Sequence, residues 1–230
     1  MLEELKHEVC RANRALFEYG LVKLTFGNAS GIDPQRLHVV IKPSGVPYSE
    51  LEPAQMVVVD LSGNVVEGDL RPSTDTPTHL LLYQHFDGIG GITHVHSLFA
   101  TMFAQARREI PCLGTTHADH FYGPVPVTRP LNRAEVEEAY EANTARVIVE
   151  RFAQLDPSTM PAVLVAGHGP FAWGADVAAS VENAVALEVV AEMALGTKVI
   201  DAAAPDLEHH VLRKHHERKH GKHAYYGQDW

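Results

Sequence analysis

The sequence predicts a single α/β domain, residues 1–230, in which helices are layered on a sheet. Three observations support this. Strand-like and helix-like patterns alternate along the whole chain. No Pro/Gly/Ser-rich linker and no internal repeat divides it. The apolar runs MVVVD (56–60) and NVVEG (64–68) flank Leu61-Ser62-Gly63 as a hairpin would, so the sheet is not purely parallel.

The elements follow in order. Residues 2–19 carry Leu2, Leu5, Val9, Ala12 and Leu16 at three- and four-residue steps, with Gly20 as a stop, which predicts an amphipathic helix. LVKLTF (21–26) is a strand candidate leading into a turn-rich GNASGID, and LHVVIK (37–42) is a second. Pro77 suits the first turn of a helix through HLLLYQHF. GITHVH (91–96) reads as a strand and LFATMFAQA (98–106) as a helix. GTTHADHFYG (114–123) has no clean period and reads as a functional loop or short helix. Asn132 with Glu135 forms a capping box for a helix to about Gln154. AVLVA (162–166) is a buried strand, and Asp176 caps a last long helix ending near Gly196. The tail after Pro205 is polar, basic and His-rich; its tyrosines and Trp230 suggest that it docks onto something.

Composition excludes several function classes. The net charge of −10 argues against nucleic acid, including at the short basic run 213–223. No run approaches the roughly 18 apolar residues that span a bilayer. The opening MLEELKHEVC is acidic where a signal peptide is basic, so the expected location is cytoplasmic. Cys10 and Cys112 are expected to be reduced thiols.

Fifteen histidines stand out, and three have informative positions. Alternate residues of a strand share a face, so His94 and His96 project together and can reach one divalent ion. His168 lies between two glycines just beyond a buried strand. Three histidines without cysteine suit a catalytic zinc or similar ion. Each alone also reads as an ordinary surface histidine. Ser73, Thr74 and Asp75 precede Pro77, where they can cap a helix, hold a phosphate at its N-terminus, or, for Asp75, turn towards a metal. Gly27-Asn28 and Lys42-Pro43-Ser44-Gly45 are further turns able to take a phosphate. Asp119 reads either as a general acid/base or as a surface aspartate.

GN at 27–28, IKPSG at 41–45, PSTDTPTH at 72–79, GGITHVHS at 90–97, GTTHADHFYG at 114–123, GHGPFAWG at 167–174 and KHAYYGQ at 222–228 together resemble the class II aldolase family. They are most similar to its sugar-phosphate epimerase branch. The resemblance covers nearly the whole chain. It implies a three-layer α/β/α domain with a central mixed, largely antiparallel sheet. It implies one divalent metal per subunit, zinc, with manganese or cobalt as alternatives, on Asp75, His94, His96 and His168; aldolases of the family typically carry glutamate at the first of these. Gly27, Asn28, Ser44, Gly45, Ser73 and Thr74 match phosphate-binding positions, with Lys42 adjacent. Asp119 and Tyr226 match an acid/base pair, and His215 a histidine near the second face of the substrate. The implied partners are a phosphorylated pentulose and three further copies of the chain. In that C4 homotetramer the tail, about 205–230, completes a neighbour's site.

The implied activity is interconversion of L-ribulose 5-phosphate and D-xylulose 5-phosphate, a step of L-arabinose catabolism, by cleavage and re-formation of C3–C4. The competing readings are an L-xylulose-5-phosphate-type epimerase, an L-fuculose-phosphate-type aldolase, and a non-enzymatic metal-binding protein. Asp75 speaks against the aldolase. The extra histidines of 214–223 and the extension Asp229-Trp230 read as solvated variation.

Overall fold

In the computed structural model, which describes residues 2–227, one seven-stranded sheet carries helices on both faces. Helix α1 (Leu2–Glu18) is followed by β1 (Asn28–Ile32), β2 (His38–Ile41), β3 (Val57–Asp60) and β4 (Val65–Glu67). Then come α2 (Thr76–His85), β5 (Gly91–His94), α3 (Leu98–Ala106), α4 (Thr115–Ala118) and α5 (Arg133–Arg151). The chain closes with β6 (Ala162–Leu164), β7 (Pro170–Gly174), α6 (Val177–Ile200) and α7 (His209–His220). The strand order is β4-β3-β2-β1-β5-β7-β6, and every pairing between these strands is antiparallel. The one parallel pairing among the described residues is an isolated bridge between Val127 and Leu164. The expected layered α/β architecture is present, with the parallel component of its sheet reduced to that bridge.

Alternation along the strands explains the three layers. Ala29, Gly31, Thr93 and Ala172 face α1 and α6, where Thr93 meets the Ser180 hydroxyl at 2.8 Å. Asn28, Ser30, His94, Phe171 and Trp173 face the opposite layer, formed by α2 and α5. There Ser30 bonds His79 and Tyr83, and Trp173 packs with Phe86 and Phe152.

The hairpin at Leu61-Ser62-Gly63 forms as expected, with Gly63 at φ 87° and the Asp60 carboxylate accepting from Ser62 and Asn64. Both capping motifs also form: Asn132 and Glu135 exchange bonds at the start of α5, and Asp176 accepts from Ala179 at the start of α6. Helix α6 runs past Gly196 to Ile200, and α5 stops at Arg151.

One expectation is corrected, and two segments with no element expected of them acquire one. LVKLTF is not a strand: Leu21 and Val22 are buried, but Lys23–Phe26 is exposed and Leu24 sits at φ 53°. The strand is instead NASGI, weak in β-propensity. It is held because β2 pairs only Ser30–Ile32, and the Asn13 amide replaces a partner strand at Ala29, bonding both its N–H and its carbonyl. GHGPFAWG contributes a strand, β7, hidden by its glycines and proline. The polar tail forms helix α7, anchored by Leu212 against Cys112 and Ala118. Both cysteines are free and buried. Trp230 and Asp229 lie outside the described residues.

Helix α6 approaches the sheet closely at Gly91 and Gly174, paired opposite each other in β5 and β7. A methyl group on Gly91 would lie 2.4 Å from the Asp176 carbonyl and 2.5 Å from the Val177 Cα, both backbone atoms. Gly91→Ala is expected to destabilise the protein by about 2–3 kcal/mol through overpacking, read as a lower urea midpoint with unchanged slope.

Candidate metal centre and active site

The site lies where β5 ends in the middle of the sheet. His94 is the last residue of that strand, and register places it opposite Asn28 on one side and Phe171 on the other. The Phe171 ring stacks flat on His94, with centroids 4.1 Å apart and planes 17° apart. The Pro170 carbonyl accepts a hydrogen bond from His94 Nδ1 at 2.9 Å. That bond fixes the tautomer and leaves the Nε2 lone pair facing outward, as a metal ligand requires. The strand stops before His96, yet the two imidazoles still converge, Nε2 to Nε2 at 3.0 Å. His168, in the turn between β6 and β7, brings its ring to 4.8 Å from His94 and 4.9 Å from His96.

These three side chains form the one group of potential metal ligands among the described residues, with ligating atoms all within 4.8 Å of one another. Tetrahedral zinc with Zn–N bonds of about 2.0–2.1 Å holds its nitrogens about 3.3 Å apart. The spacing, the neutral donors and the anchored Nδ1 fit a divalent ion. Burial, and then the neighbouring histidines, push His96 down to about 4 and His168 to about 3, so both offer lone pairs at neutral pH.

Asp75 is not part of that group. It stands at the N-terminus of α2 but makes no side-chain cap bond. Its carboxylate accepts from the Asn28 amide at 2.7 Å, and the same amide donates to Ser73 Oγ at 3.0 Å. Burial would raise this carboxyl, but His94, His79, the Asn28 amide and His168 hold it below the usual range.

A cavity of about 370 Å³ opens over the histidines, lined also by Gly27, Asn28, Lys42, Ser44, Gly45, Ser73, Thr74 and Asp75. Every residue expected at the metal or the phosphate therefore shares one cavity. Two backbone bonds tie its anion-side turns together: Ser73 N–H to the Lys42 carbonyl at 3.0 Å, and Ser44 N–H to the Arg71 carbonyl at 2.9 Å. Lys42 is 1% exposed, over the Tyr48 ring, and its ammonium donates to the Pro43 carbonyl at 3.2 Å. Burial pushes it down to about 8 with no charged neighbour contributing, so an anion entering the cavity meets an uncompensated cation.

Asp119, His215 and Tyr226 do not line this cavity. They gather where α7 docks on α4. Arg218 donates to both oxygens of Asp119, and Asp119 Oδ1 lies 3.1 Å from His215 Nδ1. The exposed Tyr226 ring lies 5.0 Å from the Arg218 guanidinium. Burial would raise the Asp119 carboxyl, but Arg218 and His215 hold it below the usual range. Sequence reasoning missed Arg218. It also missed Tyr140 and Glu141, which line the cavity from α5. Their segment reads as unbroken helix, but Ala139 departs from helical geometry at φ −161°, ψ 74°.

A family model described as "Class II Aldolase and Adducin N-terminal domain" matches residues 7–195. The chain belongs to this family. Within it, the chain is 50% identical over 227 residues to a protein of Salmonella paratyphi C (strain RKS4594) named L-ribulose-5-phosphate 4-epimerase UlaF, covering 99% of this chain and 100% of that one. A protein of the same name from Salmonella choleraesuis (strain SC-B67) matches with the same identity and coverage. Among solved structures, an L-fuculose 1-phosphate aldolase superposes with a TM-score of 0.79 at 28% identity, over 94% of this chain and 95% of that one. The L-fuculose-1-phosphate aldolase of Thermus thermophilus shares the fold, with a TM-score of 0.69 at 24% identity, over 89% and 100%. No helix among the described residues is long and apolar enough to cross a membrane.

His96→Asn is expected to lower bound zinc at least about tenfold, read by elemental analysis after dialysis against trace metal. A second expectation concerns the metal-free protein. His79 and His117 are buried and depressed to about 3 and about 4, chiefly by burial. The unfolded chain therefore binds protons before the folded one does. Stability should be full above about pH 6.5 and fall steadily towards pH 4, as urea titrations at several pH values would read.

Proposed function

We propose that this member of the class II aldolase family is an L-ribulose-5-phosphate 4-epimerase, acting in the cytoplasm as a C4 homotetramer. The observation that carries the reading is the single cavity in which three convergent imidazoles face an uncompensated lysine across two tied turns. The relatives' names supply the particular reaction.

His94, His96 and His168 would hold the ion, with Asp75 beside them as a fourth ligand or as a carboxylate steering the Asn28 amide. We take the ion to be zinc. Bound there, it supplies Lewis acidity to the substrate's carbonyl region. The phosphate end falls to Lys42, the Ser44 and Thr74 hydroxyls and the turn at Gly45. The Ser44 and Ser73 N–H groups are already spent on holding the two turns together.

In L-ribulose 5-phosphate the carbonyl is at C2, so the hydrogen on C4 is not acidic. Inversion at C4 proceeds through the C3–C4 bond. A base takes the C4 hydroxyl proton, C4–O becomes an aldehyde, and the C3–C4 electron pair moves into the C2 carbonyl. The fragments are a dihydroxyacetone enediolate and glycolaldehyde phosphate. The aldehyde turns its other face while its phosphate stays gripped. C3 then attacks C4, the electrons return, and the new C4 oxygen takes a proton.

Two proton-handling groups are needed, one per face, and Asp119 and Tyr226 take these roles. Arg218 keeps Asp119 ionised, the state a base requires. Both residues stand outside the cavity of their own chain, which supports their delivery to a neighbour's cavity by the α4–α7 unit, with His215 beside them.

The test incubates zinc-loaded protein with L-ribulose 5-phosphate while following D-xylulose 5-phosphate and glycolaldehyde phosphate separately. The expected product is the epimer. Accumulation of aldehyde would make the protein an aldolase, and no turnover would defeat the enzymatic reading. Tyr226→Phe should retain zinc and fold while losing at least about 100-fold in turnover.

A further inference from the structure

We infer that Tyr140 is a positioning residue for the metal centre, delivered by a break in α5 and acting through His168. This rests on the metal reading above and adds to it a residue outside the ligand set.

The three imidazoles are not equally supported. His94 is held by its strand, by the Pro170 carbonyl and by Phe171. His168 sits in a turn between Gly167, at φ 75°, and Gly169; its backbone N–H is held by the Val165 carbonyl at 3.0 Å, but no backbone carbonyl holds its ring among the described residues. The side-chain hydrogen-bond partner found for its ring among the described residues is Tyr140, whose hydroxyl lies 3.4 Å from His168 Nδ1. The two rings are 5.9 Å apart and tilted by 45°. A phenol oxygen accepting from Nδ1–H leaves Nε2 as the ligand atom, the same logic as the Pro170 carbonyl behind His94.

The backbone is built to present this hydroxyl. At Ala139 the helix departs from regular geometry, at φ −161°, ψ 74°. The buried Asn143 amide reaches back across the break and donates to the Glu135 carbonyl at 2.7 Å. Beyond the break, Thr78 of α2 donates to the Glu141 carbonyl at 2.7 Å. Side-chain donors thus meet the helix backbone on both sides of the break. Its product is that Tyr140 and Glu141 turn into the cavity. No glycine or proline lies at the break, and side-chain bonds to the helix backbone flank it.

The test compares the parent protein, Tyr140→Phe and His168→Ala, using zinc competition against a chromogenic chelator, the visible absorption of the cobalt-loaded forms, and melting of the metal-free forms. Tyr140→Phe removes only a hydroxyl from a partly exposed ring. It is expected to raise the zinc dissociation constant about tenfold and to shift the cobalt bands, with metal-free melting as in the parent. Unchanged zinc affinity and cobalt bands, with binding lost in His168→Ala, would overturn the role of Tyr140 alone. A Tyr140→Phe defect confined to metal-free melting would overturn it too, as a purely structural effect. Parent-like zinc binding by His168→Ala would defeat the metal reading itself.

Discussion

Everything at the site depends on one antiparallel register. Strand β5 is paired with β1 on one edge and β7 on the other, which puts Asn28, His94 and Phe171 in a single row across the sheet. A slip of one residue would turn His94 towards α6 and bring Thr93 into the cavity. The register is guarded from the other face. Gly91 and Gly174 let α6 sit against the backbone, and Thr93 bonds Ser180 beneath it. The packing of a helix on the far layer therefore holds the cavity-facing histidine in place.

The second constraint is electrostatic. A chain of net charge −10 with the anionic substrate proposed above needs a local exception to its own field. Lys42 provides it by burial. An ammonium at 1% exposure, facing only a carbonyl and an aromatic ring, is costly until an anion arrives. Also lining the cavity, Asp75 is kept ionised by the histidines and the Asn28 amide. Cation and carboxylate thus stand apart, joined through the Asn28 amide and the tied turns, and do not neutralise each other.

Much of this was legible in the sequence because the local rules operate locally. The hairpin, both capping motifs and the histidine pair rest on contacts a few residues apart. The convergence of turns 27–28, 42–45 and 72–75 was readable only as a set of motifs, since long-range pairing brings them together. The misreadings have the same origin. NASGI is a strand because Asn13 and two neighbouring strands make it one, against its own propensity. PFAWG is a strand because β5 and β6 flank it. Tyr140 was invisible because the departure from helix at Ala139 is flanked by bonds from Asn143 and Thr78 that no helical pattern encodes. Arg218 was hidden in a tail whose charges looked like solvated surface until α7 folded onto Asp119.

The burial of Lys42 reaches beyond affinity. Held near 8, this ammonium is partly deprotonated in mildly alkaline solution. A phosphate dianion settling beside it favours the charged form and draws its pKa upward. Association above that pH is then coupled to uptake of a proton from the medium. The heat of binding would vary with the ionisation enthalpy of the buffer, and the protein would act, each time it fills, as a small consumer of acid.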